Sequence, residues 1–260
     1  MQKKHLNLLI QMTKVDILSR YKGAYIGVVW SLLMPVFMLF VYTFVFNVIL
    51  KAKWGASSSE TSADFALLLF TGIVIHGFFA EIISRAPNVI IQNSNYVTKV
   101  IFPLPLLPLV NLLSGLFHSF ISLFILLIAL YAYYGHLPIT AIFLPLIWLP
   151  MIVLLAGVSW LFAAIGVYVR DLAQVVGPLS MLLLFLSPVF YPISQVPEKW
   201  QALMLFNPLT LIIEQSRNVL IVGKMPDWSL LAIYMLIASV FCYGSYRVFQ
   251  KLKGGFSDVL

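Results

Sequence analysis

Six stretches of this 260-residue chain are long and apolar enough to cross a bilayer, and little polar chain is left between them. They lie at about 26–50, 65–84, 107–134, 141–169, 173–193 and 229–249. A hydrocarbon core about 30 Å thick takes roughly 20 residues of helix, and a backbone there must satisfy its own hydrogen bonds. The runs predict an all-α integral membrane protein of six transmembrane helices, a single domain over 1–260. Composition agrees: 62% of residues are hydrophobic and 10% charged, with a mean hydropathy of +1.00. That is more apolar residue than a soluble fold of this size needs.

An even number of spans puts both termini on one side. Eleven basic residues fall on that side: Lys3, Lys4, Lys14, Arg20, Lys22, Arg85, Lys99, Arg170, Arg247, Lys251 and Lys253. Five fall on the other: Lys51, Lys53, Lys199, Arg217 and Lys224. Basic residues near span ends stay inside, so both termini are expected in the cytoplasm. The net charge of +7 is then a topology signal, and no nucleic-acid partner is needed to explain it. The first 25 positions mix polar residues throughout, with no compact apolar core, so no cleavable signal peptide is expected. The single cysteine, Cys242, excludes an intramolecular disulfide and reads as a packing residue.

The segment from Ser187 to Trp228 fits neither a span nor a loop. Glu198, Lys199, Glu214 and Arg217 interrupt it, yet it is too rich in apolar and aromatic residues for an ordinary wet connection. It predicts short helices folded back into the outer membrane face over 194–222, a device used where a pathway opens.

Residues 5–22 precede the first span. On a helical wheel Asn7, Gln11, Lys14 and Lys22 share an arc, broken by Leu18, against a mostly apolar remainder. This predicts a helix lying along the cytoplasmic interface, or more simply a basic anchor. The connection from Ser84 to Pro105 carries Asn88, Asn93, Ser94 and Asn95, which favour caps and turns. A short helix over 87–98 is expected there, serving either as a connector or as a docking surface for a soluble partner.

Several chemistries are missing. No GxxxxGK[ST] run holds nucleotide phosphates, and no HExxH or GxSxG occurs. His5, His76, His118 and His136 are scattered, none with a second ligand at metal spacing. Glu81 is the only acidic residue placed inside a run, near its cytoplasmic end, so the buried carboxylates of an ion-coupled transporter are lacking. Energy for any transport must come from another subunit. No catalytic residue, metal ligand or cofactor site is expected in this chain.

Aromatic rings fill the apolar runs instead. Trp30, Phe37 and Phe44 recur every seven residues with Phe40 on the same face, and Tyr42 and Phe46 form a second pair four apart. Phe78, Phe79, Phe185, Phe190 and Tyr191 add to later runs. Such stripes commonly pack against neighbouring helices or sit in interface belts. They also offer the faces on which sugar rings stack, and weak repeated contacts suit a sliding polymer.

These residues carry a resemblance. RYKGAYIGVVW at 20–30 followed by Pro35, NxxYVTKVIFPLP at 93–105, the Arg170-Asp171 corner, SPVFYP at 187–192 and NPL at 207–209 occur in one order over essentially the whole chain. In this the chain resembles the ABC-2 type permeases of bacterial O-antigen, capsule and teichoic acid exporters. The resemblance implies a homodimer of six-span subunits in the inner (plasma) membrane, paired with two copies of an ATPase that carries the ATP and magnesium. Its cargo would be an undecaprenyl-diphosphate-linked polysaccharide, O-antigen first among the choices. The 5–22 helix would gate a lateral entry, with Arg20, Tyr21 and Lys22 meeting the pyrophosphate through charge-assisted hydrogen bonds. Asn88, Asn93, Asn95, Tyr96 and Lys99 would seat in the ATPase. Trp30, Phe37, Tyr42, Phe46, Phe190 and Tyr191 would line the glycan channel. Two re-entrant helices, near Pro197–Phe206 and Pro208–Val222, would stand at the periplasmic exit. An exporter of drugs or small lipids shares this fold but needs fewer rings along a continuous path. An intramembrane glycosyl- or acyltransferase needs clustered His, Asp or Glu at a membrane face, which the sequence does not offer.

Overall fold

A computed structural model describes residues 2–51, 54, 62–98 and 102–260. Lys53, Glu60 and Lys99 lie outside the described residues. Among those described, the ordered elements are all helical. They are α1 (Gln2–Ser19), α2 (Trp30–Thr43), α3 (Ser62–Arg85), α4 (Val89–Gln92), α5 (Asn95–Thr98) and α6 (Leu106–Tyr134). There follow α7 (Leu144–Tyr168), α8 (Leu172–Phe185), α9 (Glu198–Leu205), α10 (Pro208–Arg217), α11 (Trp228–Leu252) and α12 (Phe256–Val259).

Five segments have the length and composition to span: Gly27–Phe46, Asp64–Gln92, Leu106–Tyr134, Ile139–Tyr168 and Trp228–Val259. The run expected at 173–193 is helical only through Phe185. At 14 residues, α8 is about 21 Å long by the 1.5 Å rise per residue, short of a hydrocarbon core. The cause is local. Pro188 and Pro192 lack the amide hydrogen a continuing helix needs, and the chain turns between them. The expected helix over 87–98 is likewise divided. It forms a 3₁₀ turn at Ala86–Asn88, then α4, then α5, with a break at Asn93 and Ser94.

The core is built around α3. Leu69, Ile75, Phe78, Ile82 and Ile83 on it are fully buried, as are Leu126 and Leu130 of α6, Ile147 and Met151 of α7, and Ile212 and Ile213 of α10. The ring of Phe78 stacks on Trp148 at 6.0 Å. Helices α7 and α11 approach until a Cβ on Gly157 would stand 2.8 Å from the Cα of Cys242. Cys242 itself is partly buried against the core.

A smaller cluster closes the end of the molecule that carries α1 and the C-terminus. Val89, Ile90, Leu107, Val167, Phe249 and Phe256 are buried in it, with Met12, Tyr96, Val97 and Phe102 packed alongside. Tyr168 donates to the carbonyl of Leu252 at 2.8 Å. The chain end is therefore folded under α4 and α5.

Helix α2 is the exception to this burial. It is apolar all round, yet none of its residues is buried within the protomer. A helix of that kind faces lipid or another protein chain.

Candidate functional site

Helix α1 ends at Ser19, and the amides of Tyr21 and Lys22 turn back onto Leu18 and Ser19 at 3.2 and 3.3 Å. Gly23 follows at φ +89°, a left-handed conformation that costs a residue with a Cβ about 1–2 kcal/mol. The wheel arc of Asn7, Gln11 and Lys14 faces outward, while Leu9, Met12, Thr13, Asp16 and Arg20 turn inward. Lys22 is exposed beyond the helix end. That inward register delivers a carboxylate and a guanidinium to the same seam between α3 and α6.

The Asp16 carboxylate accepts from Arg85 at 2.8 and 3.1 Å and from Arg20 at 3.4 Å. Burial raises its pKa, but the hydrogen bonds and charge of Arg85, with the charge of Arg20, outweigh it and hold the carboxyl below the ordinary 3.8. Arg20 donates a charge-assisted hydrogen bond to Glu81 and lies 2.9 Å from His118 Nδ1. His118 Nδ1 stands 3.5 Å from the same Glu81 oxygen. The ring of Tyr21 meets His118 edge-on at 5.9 Å, and burial pushes its phenol pKa upward. Two buried nitrogens here, Arg20 Nε and His118 Nε2, have no hydrogen-bond partner among the described residues.

A cleft of about 500 Å³ opens beside this cluster, lined by Arg20, Tyr21, Trp30, Ser31, His118 and Ser122. Met34, Pro35, His118 and Ser122 are shared with a second crevice of about 250 Å³, whose walls include Phe70, Ile73, Val74, Phe78 and Glu81. The charged cluster therefore sits where the two openings meet, and the walls of both are mainly apolar. Sequence reasoning picked Arg20, Tyr21 and Lys22 but missed Glu81 and His118 as their neighbours. The lone carboxylate inside an apolar run was the available signal, since a charge there needs a partner.

The segment expected to dock a partner has an outer and an inner side. Gln92, Asn95 and Thr98 are exposed, while Val89 and Ile90 are buried. Asn93 donates to Val89 O at 2.8 Å, and Tyr96 packs on Phe102 at 4.7 Å. Asn88 ends the 3₁₀ turn and is half-buried. Helix α7 braces the turn closely, because a Cβ on Gly166 would lie 2.2 Å from Pro87 O.

The aromatic residues separate into two groups. Trp30, Phe37, Phe40 and Phe44 are exposed along one side of α2, Phe37 at 59% and Phe40 at 66%. Tyr42 and Phe46 instead turn toward the core, where Phe46 lies 5.1 Å from Phe65. Phe190 stacks on Phe185 at 5.6 Å, and Tyr191 donates to Phe185 O at 2.7 Å. Tyr42, Phe46 and Phe190 thus pack against the buried core, whereas Trp30, Phe37, Phe40 and Phe44 are exposed.

The 187–222 segment is organised by Arg217. This buried side chain donates to Leu68 O at 2.9 and 3.0 Å, to Val189 O at 3.1 Å and to Pro188 O. Its guanidinium lies 4.2 Å over the Trp54 ring and pairs with Glu214 at 3.3 Å. The Asn207 side chain caps α10 by accepting from Leu209 N and donates to Ser187 Oγ at 2.9 Å. SPVFYP and NPL are thereby tied together. Arg217, read in the sequence as one of the charges that interrupt this segment, is the pin of this end.

Among the described residues no cluster of His, Cys, Asp and Glu could hold a metal ion. Two O-antigen export system permease proteins RfbA of Klebsiella pneumoniae are 25% and 24% identical to the chain over 256 residues, covering 98% of it and 95% of each relative. One from Myxococcus xanthus is 26% identical over 101 residues, 39% of this chain and 36% of that protein. A model of the ABC-2 type transporter family matches residues 7–221, and the chain belongs to that family.

Proposed function

We propose that this chain is the membrane-spanning subunit of an ABC exporter that carries undecaprenyl-diphosphate-linked polysaccharide, O-antigen above all, across the inner membrane. The observation that carries this is the similarity to two O-antigen export permeases along nearly the whole of both chains. The chain itself is not an enzyme, and hydrolysis belongs to a partner ATPase bound in two copies.

In this reading α8 is the fifth of six spans, shortened where 187–192 turns, and both termini are cytoplasmic. Helices α9 and α10 are re-entrant at the outer face. The expected pair near 197–206 and 208–222 corresponds to α9, and to α10 with its π-helical continuation Asn218–Val222. Two copies meet across the uncovered α2. Its exposed rings, Trp30 and Phe37 with Phe40 and Phe44, stack on sugar, and Phe190 and Tyr191 stand near the exit. Arg20, Tyr21 and Lys22 receive the diphosphate at the cleft beside α1. Asn88, Asn93, Asn95, Tyr96 and Lys99 belong to the segment that seats in the ATPase.

Deletion of the gene tests this in the native cell. The expected result is loss of surface polysaccharide with lipid-linked glycan retained on the cytoplasmic side, restored by the wild-type chain. Unchanged surface polysaccharide would remove the export role.

A further inference from the structure

The cleft beside α1 is not free to take a diphosphate as it stands. Its principal cation, Arg20, is already engaged by Glu81 of α3 and Asp16 of α1 and lies against His118 of α6. We propose that Glu81 is a positioning residue for the gate: a resident anion that holds Arg20 until an incoming lipid diphosphate displaces it. This rests on the export reading above.

Three observations carry it. First, Glu81 is an ionisable group within an apolar span, where a carboxylate is costly to keep unless it is used. The fully buried apolar packing of α3 around it is carried by Phe78, Ile82 and Ile83. Second, Arg20 Nε and His118 Nε2 are buried with no hydrogen-bond partner among the described residues, beside the cleft that both residues line. The cluster thus offers more hydrogen-bonding capacity than one carboxylate uses. Third, the cleft lined by Arg20 and His118 shares Met34, Pro35, His118 and Ser122 with the crevice whose wall includes Glu81, and both are mainly apolar around this one charged cluster. An anionic head carried on a hydrocarbon tail matches a charged cluster set in apolar walls.

The chemistry of exchange follows. A guanidinium binds carboxylate and phosphate through the same fork of donors, and a diphosphate brings more charge and more acceptor oxygens than Glu81. Arg20 already takes two carboxylates, Glu81 closely and Asp16 at 3.4 Å, so a diphosphate arrives as a third anion and repels the nearer carboxylate in a site of low dielectric. Arrival of the diphosphate therefore parts Arg20 from Glu81. Because Arg20 sits at the end of α1, that event frees the α1–α2 turn from α3. The Asp16–Arg85 link remains to hold α1 to the end of α3.

The test uses the assembled permease–ATPase complex in nanodiscs, with ATP hydrolysis followed against added undecaprenyl diphosphate and, in parallel, free pyrophosphate. Glu81→Gln removes the competing charge and keeps the shape. It is expected to lower the half-saturating lipid concentration about tenfold, inside the range of ordinary site-to-site coupling. Glu81→Asp keeps the charge at shorter reach and should shift it a few-fold in the same direction, which keeps the test alive if the Gln variant does not assemble. A purely structural Glu81 predicts weaker binding or no shift. A responsive wild type with unshifted or weakened variants overturns the resident-anion role alone. A wild type blind to undecaprenyl diphosphate overturns the export reading too. An equal response to free pyrophosphate at equal concentration overturns the lipid as the displacing anion.

Discussion

The carboxylate of Asp16 takes both terminal nitrogens of Arg85, at 2.8 and 3.1 Å, and so joins α1 to the last turn of α3. Arg85 directly precedes the 3₁₀ turn and α4, the segment proposed to meet the ATPase. One ion pair thus links the proposed docking segment to the proposed gate, a path of two rigid helices and a bidentate contact.

Asp16→Asn should loosen α1 without unfolding the bundle. The pair is partly exposed, so its removal costs about 0.5–1 kcal/mol. The effect is expected mainly in dynamics, read as increased mobility of a spin label at the exposed position of Lys14. The pH dependence has a definite sign. A depressed carboxylate pKa contributes stability above the ordinary value, and that contribution is lost as pH falls through the folded one. Wild-type α1 should therefore stay ordered from neutral pH down to 3.8 and loosen only below it, while the Asn variant is mobile throughout. Loosening of the wild type near neutral pH would show that Asp16 is not the group holding it.

Arg217→Ala should be among the most destabilising single changes. It strips the carbonyls of Leu68, Pro188 and Val189 of a shared donor and leaves Glu214 without its partner. Loss of this buried guanidinium and its charge-assisted bonds to three buried carbonyls costs about 3–5 kcal/mol. Arg217→Lys should recover only part of it, because one ammonium cannot reproduce the forked geometry. Thermal unfolding of the purified protein in detergent measures both. Wild-type stability in either variant would mean the outer segment is held by other contacts.

Gly166→Ala tests the seat of the proposed docking segment. Its new Cβ would fall 2.2 Å from Pro87 O, so α7 and the 86–88 turn must separate, at a cost of about 1–3 kcal/mol for overpacking. Co-purification of the ATPase should fall with it, while Gly177→Ala, which meets nothing within 4 Å, should leave assembly intact. Equal co-purification in both would detach ATPase binding from the position of this turn.

Phe37→Ala and Phe46→Ala should separate transport from folding. Phe37 is 59% exposed in the protomer, so its loss should change protomer stability by no more than about 0.5 kcal/mol while slowing export. Phe46 packs on Phe65, and its loss should cost about 1–3 kcal/mol with a matching fall in folded protein. Export by each variant, normalised to folded protein, checks the distinction. A normal rate in the Phe37 variant would remove that ring from the sugar path.

Helix positions were legible in the sequence wherever one physical requirement dominated. The need for about 20 apolar residues located the five long segments, and the prolines at 197 and 208 located the starts of α9 and α10 within a residue. The fifth run, 173–193, extends past its helix because hydropathy does not register backbone breakage: Val189 and Phe190 are apolar, but α8 stops at Phe185, ahead of Pro188. Tyr42 and Phe46 show a second blindness. An aromatic stripe has the same spacing whether it faces a channel or a neighbouring helix, and only the packed structure shows which side α3 covers. The Arg20–Glu81–His118 cluster brings together positions 61 and 98 residues from Arg20. No local spacing could have joined them. What the sequence offered was a single carboxylate inside an apolar run, whose partner had to be sought in the fold.

Export itself is tested most directly by reconstitution. The permease and its ATPase, placed in proteoliposomes with undecaprenyl-diphosphate-linked glycan and external ATP, are followed by the glycan's accessibility to an external glycosidase. The expected result is ATP-dependent protection of the glycan that requires both subunits and is lost without this chain. Glycan that stays accessible while ATP is hydrolysed, or becomes protected without this chain, would contradict it.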